Sequence, residues 1–394
     1  MNFSTFSPPF RIVGGYFICG LVFLALSIFG FYNADFYGLT SLKTASFFHI
    51  FLLGFALSII IGALYQLTSV IIENKFFSTK FAFANLFVFA SSVAILSLGM
   101  VLEKLPLLHA GGGIAMMSLL FFGTSYALSF VKAKSYKTPS IALIISSIYL
   151  IIGIILGFLL VLVVTGASEA DFSRVLAYHI YFMCGFVFFV IVGAGCVLLP
   201  MFSLAHNLSF LPAKISGLLY LICIFFVNFD FGIYLCALAF LIFATQIIYI
   251  LSKRVRRKID YWSANIFLSL AALVLGFVLW NFSKTQSAIF CLCYGFLYAF
   301  ICAHLYKIVP FLIWYHYVSP YVGKGKIPLL EDMIIKNLTY FAMFANIVAL
   351  IFAVFEINVI ALIFQTLSII FVVINIINVF KYTKFGVENG RDKG

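Results

Sequence analysis

The stretch HIFLLGFALSIIIGALYQL, residues 49–67, indicates the fold class of this chain. It contains no charged residue, and it is close to the about 20 apolar residues that an α-helix needs to cross a bilayer. Similar runs recur throughout the 394 residues, of which 65% are hydrophobic and 9% are charged. A soluble domain carries roughly 25% charged residues. The composition therefore excludes a soluble protein and predicts a polytopic membrane protein in contact with the lipid bilayer.

The apolar runs predict twelve transmembrane helices, because open strands would leave backbone groups unpaired in lipid. The predicted limits are 12–32, 46–72, 81–102, 109–131, 140–165, 177–200, 214–231, 232–252, 261–281, 287–311, 334–354 and 357–380. Only the short break Asn228-Phe229-Asp230 separates helices 7 and 8. No polar run long enough for a separate domain interrupts the series. The sequence thus predicts one all-α transmembrane domain over residues 1–394, with no role in binding nucleic acid.

The net charge of +12 is explained by membrane orientation. Of the 24 Lys and Arg residues, only Lys43, Lys104, Arg174 and Lys284 fall in loops on one side, which leaves twenty on the other side. Short cytoplasmic loops carry such an excess of basic residues. The bias predicts that both termini are cytoplasmic in a multi-pass protein of a bacterial inner membrane.

Three helices share a Gly-Phe pair that is followed, eight residues after its glycine, by a pair of small or polar residues. The pairs are Gly54-Phe55, Gly185-Phe186 and Gly295-Phe296, in helices 2, 6 and 10. The marked helices are four apart, which predicts three pseudo-repeats of four helices at approximately 1–135, 136–256 and 257–394. Glycines at such spacing also let helices approach closely, which is the simplest reason for their presence.

Two of the marked helices carry a histidine near the predicted outer end, His49 in helix 2 and His179 in helix 6. Together with GALYQLTSVI at 62–71 and LLPMF at 198–202, this pattern resembles subunit I of the heme-copper oxidase and nitric oxide reductase superfamily. The resemblance implies a non-covalent heme b held by neutral imidazoles, with His49 and His179 as the cofactor-binding residues. It also implies electron transfer, sensing or respiratory assembly with a redox or respiratory partner.

The chain departs from that family at the catalytic centre. The family's helix 7 supplies a histidine pair for copper, but helix 7 here, KISGLLYLICIFFVN, has none. In helix 10, the repeat register places Phe290 where helix 2 has His49, and His304 would lie roughly 21 Å deeper at about 1.5 Å per residue. Oxygen reduction is therefore not expected. Copper is a possible cofactor, but the family's copper ligands are absent from the sequence. His109, near the outer end of helix 4, is the candidate metal ligand.

Other functional classes are excluded or left as alternatives. No histidine begins an HExxH motif, and no Walker A loop is present, which argues against a metalloprotease or an ATPase. All eight cysteines lie in predicted spans, where they are expected to behave as buried hydrophobes. The twelve acidic residues lie at span ends or in loops, which argues against an ion-driven carrier. A small-molecule transporter that uses amides such as Asn346 and Gln365 is an alternative, as is a non-catalytic structural component.

One predicted cytoplasmic loop is unusually aromatic. Residues 310–333 place Trp314 and three tyrosines beside Lys324 and Lys326. Aromatic residues next to lysines favour the headgroup layer. The loop is therefore predicted to be an interfacial anchor, with a docking surface for a partner as the alternative. His206 and His316 are predicted to lie in cytoplasmic loops.

Overall fold

A computed structural model describes residues 6–324 and 326–385, and every regular element in this part of the chain is a helix. Four charged residues that were assigned to loops, Glu388, Arg391, Asp392 and Lys393, lie outside the described residues. The prediction of an all-α membrane fold is confirmed, because eleven of the described helices are long and apolar enough to cross a membrane.

The helices follow the predicted order. Their bounds are α1 Phe10–Asn33, α2 Leu42–Ile71, α3 Ala82–Val101, α4 Leu105–Lys132, α5 Thr138–Val164, α6 Phe172–Ser203, α7 Leu211–Phe226, α8 Gly232–Ser252, α9 Tyr261–Asn281, α10 Thr285–Tyr321, α11 Lys336–Val354 and α12 Asn358–Lys384. The twelfth apolar helix is α7, which is shorter than the others. It consists of 12 residues of α-helix followed by 4 residues of 3₁₀ helix. The chain then turns at residues 227–231, where the break was predicted.

Several helices begin earlier than their apolar runs indicate, among them the two that carry His49 and His179. The α2 helix begins at Leu42 instead of residue 46, because the Ser41 hydroxyl caps it by accepting from the backbone N–H of Thr44. The α6 helix begins at Phe172 instead of residue 177, because Asp171 caps it in the same way. Such caps satisfy the free N–H groups of a polar first turn. As a result, His49 and His179 each lie seven residues beyond the first residue of their helix, about 10 Å along it.

The chain forms two compact units. The first unit comprises Met1–Phe17 and Ile60–Arg257, and the second comprises Ile18–Ile59 and Lys258–Gly394. The chain passes between the units within α1, within α2, and after Arg257. This last boundary coincides with the predicted boundary between the second and third pseudo-repeats. The threefold repeat itself stays a prediction.

Two helices contain π-helical segments, in which each backbone N–H bonds five residues back instead of four. They are His49–Leu57 in α2, and Cys291–Leu297 and Trp314–Val318 in α10. Such segments are rare and are frequently found at functional sites. The last one belongs to an extension of α10 to Tyr321, so the prediction that helix 10 ends at residue 311 was wrong. The aromatic residues expected in a loop instead continue the helix, and Trp314 Nε1 donates to the carbonyl oxygen of Pro328 at 3.1 Å.

The glycines of the Gly-Phe pairs lie at close helix contacts. A methyl group at Gly185 would lie 2.3 Å from Cδ1 of Tyr149 and 2.7 Å from Cε1 of Tyr220. A methyl group at Gly54 would lie 2.5 Å from Cγ of Phe23, and one at Gly295 would lie 2.6 Å from Cβ of Ala272. Only a residue without a side chain fits at these distances. The simplest explanation of the motif, close packing, therefore accounts for all three glycines.

We expect Gly185→Ala to destabilise the protein by about 1–3 kcal/mol, because overpacking displaces well-packed rings. The measurement is thermal unfolding of the detergent-purified protein followed by fluorescence-detected gel filtration. The control is Gly113→Ala, whose new methyl group would lie at an ordinary 3.7 Å from Phe158. That variant should be neutral or more stable by up to ~1 kcal/mol, the gain in helix propensity. Equal melting temperatures for both variants would contradict the packing role of Gly185.

Candidate functional site

His49 is the predicted ligand whose geometry is most clearly defined. It is half-buried, it belongs to the second unit, and it is the first residue of the π segment of α2. Its Nδ1 lies 2.7 Å from the carbonyl oxygen of Ala45. Because a carbonyl oxygen can only accept, Nδ1 carries the proton and donates. In the neutral imidazole this leaves the lone pair on Nε2, the arrangement usual for a histidine that ligates iron through Nε2.

The π segments of α2 and α10 fall on the same motif. Gly54-Phe55 lies within His49–Leu57, and Gly295-Phe296 lies within Cys291–Leu297. The third motif, Gly185-Phe186, lies in the α6 helix, which is a regular α-helix from Phe172 to Ser203. The helix 10 residue that matches His49 is Phe290, which directly precedes its π segment. The local backbone of α2 and α10 is therefore alike, whereas the residue at the position of His49 differs.

A cluster of aromatic side chains surrounds the π segment of α10 within the second unit. The fully buried Tyr294 makes an edge contact with Phe51 at a centroid distance of 5.1 Å and a tilted contact with Phe290 at 5.0 Å. Its hydroxyl group lies 2.9 Å from that of Ser27 in α1. The sequence analysis did not single out Tyr294 or Ser27. Their only sequence signal was a tyrosine one residue before Gly295 and a serine in an apolar run.

His179 lies in the first unit, against α5. Its Nδ1 donates to the carbonyl oxygen of Gly153 at 2.8 Å. A methyl group at Gly157 would lie 2.8 Å from Cε1 of the imidazole, so the ring lies in space that this glycine leaves open. As in His49, the bond to a carbonyl oxygen fixes the proton on Nδ1. The same contact also packs α6 against α5, so His179 has a structural role.

His109 also lies in the first unit, but at a different level. It is exposed, and its Nε2 is 3.0 Å from the hydroxyl oxygen of Thr165, directly after α5 ends. Thr165 is twelve residues from Gly153, the partner of His179, which corresponds to about 18 Å along a helix. A metal–imidazole bond is only ~2 Å long. His109 and His179 therefore cannot share one ion.

The other histidines do not complete a metal site. His304 is buried in α10, where its Nδ1 donates to the carbonyl oxygen of Phe300 at 2.8 Å. His316, expected in a loop, is half-buried in the extension of α10, and His206 is exposed after α6. Within the described residues, no group of three or more His, Cys, Asp or Glu side chains could hold a metal ion.

An open depression of about 370 Å³ lies in the first unit, between the start of α6 and the turn that follows α7. Its lining includes Asp171, Arg174, Asn228 and Asp230. Asn228 Nδ2 donates to the hydroxyl oxygen of Tyr178 at 3.2 Å. None of the lining residues is a histidine or a cysteine, so the depression is separate in chemistry from the predicted heme ligands.

Two amide side chains of the second unit bond to each other between α11 and α12. Asn346 Nδ2 donates to Oε1 of Gln365 at 2.7 Å and to the carbonyl oxygen of Tyr294 at 3.1 Å. Both residues are almost completely buried, with 1% and 0% exposure respectively. The sequence analysis named both as polar residues that could bond neighbouring helices. It could not show that they meet the π segment of α10.

An ion pair joins α10 to the residue before α9. Lys307 Nζ lies 3.1 Å from Oδ2 of Asp260 and 4.9 Å from the centroid of the Tyr261 ring. The Lys307 side chain is 20% exposed. Partial burial by itself would raise the pKa of Asp260. The hydrogen bonds from Ser263 and the Lys307 ammonium outweigh it, so the pKa lies below its ordinary value.

Comparisons with known proteins do not place the chain in a family. No model of a known protein family matches it, and no curated protein sequence is significantly similar to it.

The ion pair predicts a defined pH dependence of stability. Asp260→Asn keeps the helix cap, because Asn caps as well as Asp, but it removes the charge that faces Lys307. At pH 7 we expect a loss of about 0.5–1 kcal/mol, as for a partly exposed pair. The folded-state pKa of Asp260 is depressed, so its contribution is present above its unfolded pKa of about 3.9 and is lost as the pH falls through the folded value.

The measurement is the melting temperature of both proteins between neutral pH and about pH 3, on either side of the carboxyl pKa. The difference should be constant down to about pH 5 and should vanish in acid. Asp260→Ala, which also loses the cap, should be less stable than Asp260→Asn by about 1 kcal/mol. A difference between wild type and Asp260→Asn that persists at the lowest pH would show that the ion pair is not its cause.

Proposed function

We propose that the protein is a multi-pass protein of a bacterial inner membrane that binds a b-type heme through His49, as its resemblance to heme-copper oxidase subunit I implies. The single observation that supports this function is the 2.7 Å hydrogen bond from His49 Nδ1 to the carbonyl oxygen of Ala45. It orients the ring and leaves Nε2 to ligate iron. When bound, the heme would supply a one-electron couple.

His179 is also a proposed heme-binding histidine, as the resemblance implies, and it is proposed independently of His49 because the two residues belong to different units. Two features favour it. Its Nδ1 is bound to a carbonyl oxygen in the same way as that of His49, and it lies the same number of residues into its helix. Each histidine would hold heme through one nitrogen atom, so the proposal does not depend on a cluster of three or more ligands. The function proposed is electron transfer, sensing or respiratory assembly, with a redox partner.

The test of heme binding is the reduced-minus-oxidised optical spectrum of the detergent-purified protein. Wild type should show the α band of a b-type heme. His49→Ala should abolish the band because the iron loses its oriented ligand. His179→Ala should weaken or shift it, because a histidine that would hold heme is then lost.

His206→Ala is the matched control, because His206 is an exposed histidine that lies outside the spanning helices. This variant should keep the wild-type spectrum and heme content. A colourless wild-type protein would refute the proposed function. A full α band in His49→Ala would refute the assignment of His49, even if heme were bound.

The proposed orientation, with both termini in the cytoplasm, is tested by reporter fusions. Alkaline phosphatase fused after Glu169, between α5 and α6, should be active because that loop is assigned to the outer face. Green fluorescent protein should fluoresce only when it is fused after Arg257, between α8 and α9. The opposite pattern of activity would reverse the orientation, and activity of both reporters at one position would contradict the span count.

A further inference from the structure

A second site of unusual chemistry lies in the second unit, apart from the histidines. It is formed by Asn346 in α11, Gln365 in α12 and the carbonyl oxygen of Tyr294 in α10, and we call it the amide site. Asn346 lies eight residues before the end of α11, Gln365 lies seven residues after the start of α12, and Tyr294 lies nine residues after the start of α10. These three helix ends are predicted to lie on the same side of the membrane. At about 1.5 Å per residue this is a depth of roughly 10–14 Å, near the middle of a ~30 Å hydrocarbon core.

The orientation of both amide groups follows from their partners. One terminal atom of Asn346 faces the Tyr294 carbonyl oxygen and must therefore be Nδ2, the donor. The Gln365 atom that faces Nδ2 must then be Oε1, the acceptor. Exchanging either assignment would set two donors or two acceptors against each other. Both hydrogens of the Asn346 amide are used in these two bonds.

The remaining atoms of the two amides are left without partners. Asn346 Oδ1 and Gln365 Nε2 are both buried, and neither makes a hydrogen bond within the described residues. A buried polar group without a partner costs about 1–3 kcal/mol, and native proteins keep few of them. At this depth no bulk water can satisfy them. Here the acceptor and the donor without partners belong to two side chains that are hydrogen-bonded to each other.

We propose that the amide site binds a small uncharged molecule that carries both a donor and an acceptor, such as a primary amide or an alcohol. Its donor would bond Asn346 Oδ1, and its acceptor would receive the Gln365 Nε2–H. An ion does not fit this chemistry, because a buried charge needs a charged partner. The described charges of α10 to α12 are Lys307, Lys336, Lys381 and Lys384. Lys307, on the same helix as Tyr294, is thirteen residues away, about 20 Å along the axis.

Gln365→Cys tests the site, because the new thiol replaces the amide group that carries Nε2, one of the two atoms without partners. Methyl methanethiosulfonate, a small neutral thiol reagent, is applied to the purified protein, and modification of each cysteine is measured by peptide mass spectrometry. The control is Ser146→Cys in α5, since Ser146 is equally buried but is bonded to Tyr126 at 2.9 Å. Thiols in dry apolar surroundings react slowly. We expect Cys at position 365 to be modified and Cys at position 146 to stay unmodified.

Acetamide is the probe for the bound molecule. Added at increasing concentration to the wild-type protein, it should raise the melting temperature, because a molecule that binds the folded state stabilises it. Gln365→Cys, which lacks the Nε2 donor, should lose this rise. No modification at position 365, in a variant that elutes as wild type on gel filtration, would overturn the proposal. A wild-type melting temperature that is independent of acetamide would also overturn it, because the occupant would then be water. The heme spectrum of Gln365→Cys should be that of wild type, so this result is separate from the test of His49.

Discussion

The exclusion of water from the hydrocarbon core is the constraint on which the rest of this structure depends. Backbone groups must be satisfied within each segment, so every crossing is a helix. Polar side chains inside the helix bundle must then find partners on other helices. Asn85 of α3 and Ser118 of α4 bond each other, and Tyr126 of α4 bonds Ser146 of α5. In lipid each such bond is worth only about 0.6–2 kcal/mol. These bonds therefore contribute more to which helices lie next to each other than to stability.

The same constraint explains how much of the fold could be predicted from one sequence. The bounds of α8 and α9 agree with the predicted limits of 232–252 and 261–281, because their ends coincide with the ends of apolar runs. The start of α2 could not be predicted from hydropathy, because a capped first turn containing Lys43 and Thr44 is polar. The extension of α10 was missed for a similar reason, since Trp314, Tyr315 and Tyr317 are as common in interfacial loops as in helices.

The sites were predictable only in part, because they depend on contacts between distant residues. His49 was identified as a ligand candidate, but its bond to Ala45 requires a helical turn that the predicted limit of residue 46 left out. Tyr294 and Asn346 are 52 positions apart, and nothing in a single sequence pairs them. A π segment is equally invisible, because it changes the register of backbone bonds without requiring a particular composition. The shared Gly-Phe pair coincides with two such segments, and its glycine packs there against a neighbouring side chain.

The π segments also refine the comparison between the three marked helices. One extra residue per turn rotates the side chains that follow a π segment by about 100° relative to a continuous α-helix. In α2 and α10 this rotation occurs around the Gly-Phe pair, and in α6 it does not. Residues at equal distance from the pair therefore face corresponding directions in α2 and α10, but a different direction in α6. The rotation does not change the direction of His49, because His49 is the first residue of its π segment. It corresponds to Phe290 in α10. The backbones of α2 and α10 are thus alike around the Gly-Phe pair while their side chains differ, with a histidine in one and an aromatic cluster beside an amide pair in the other.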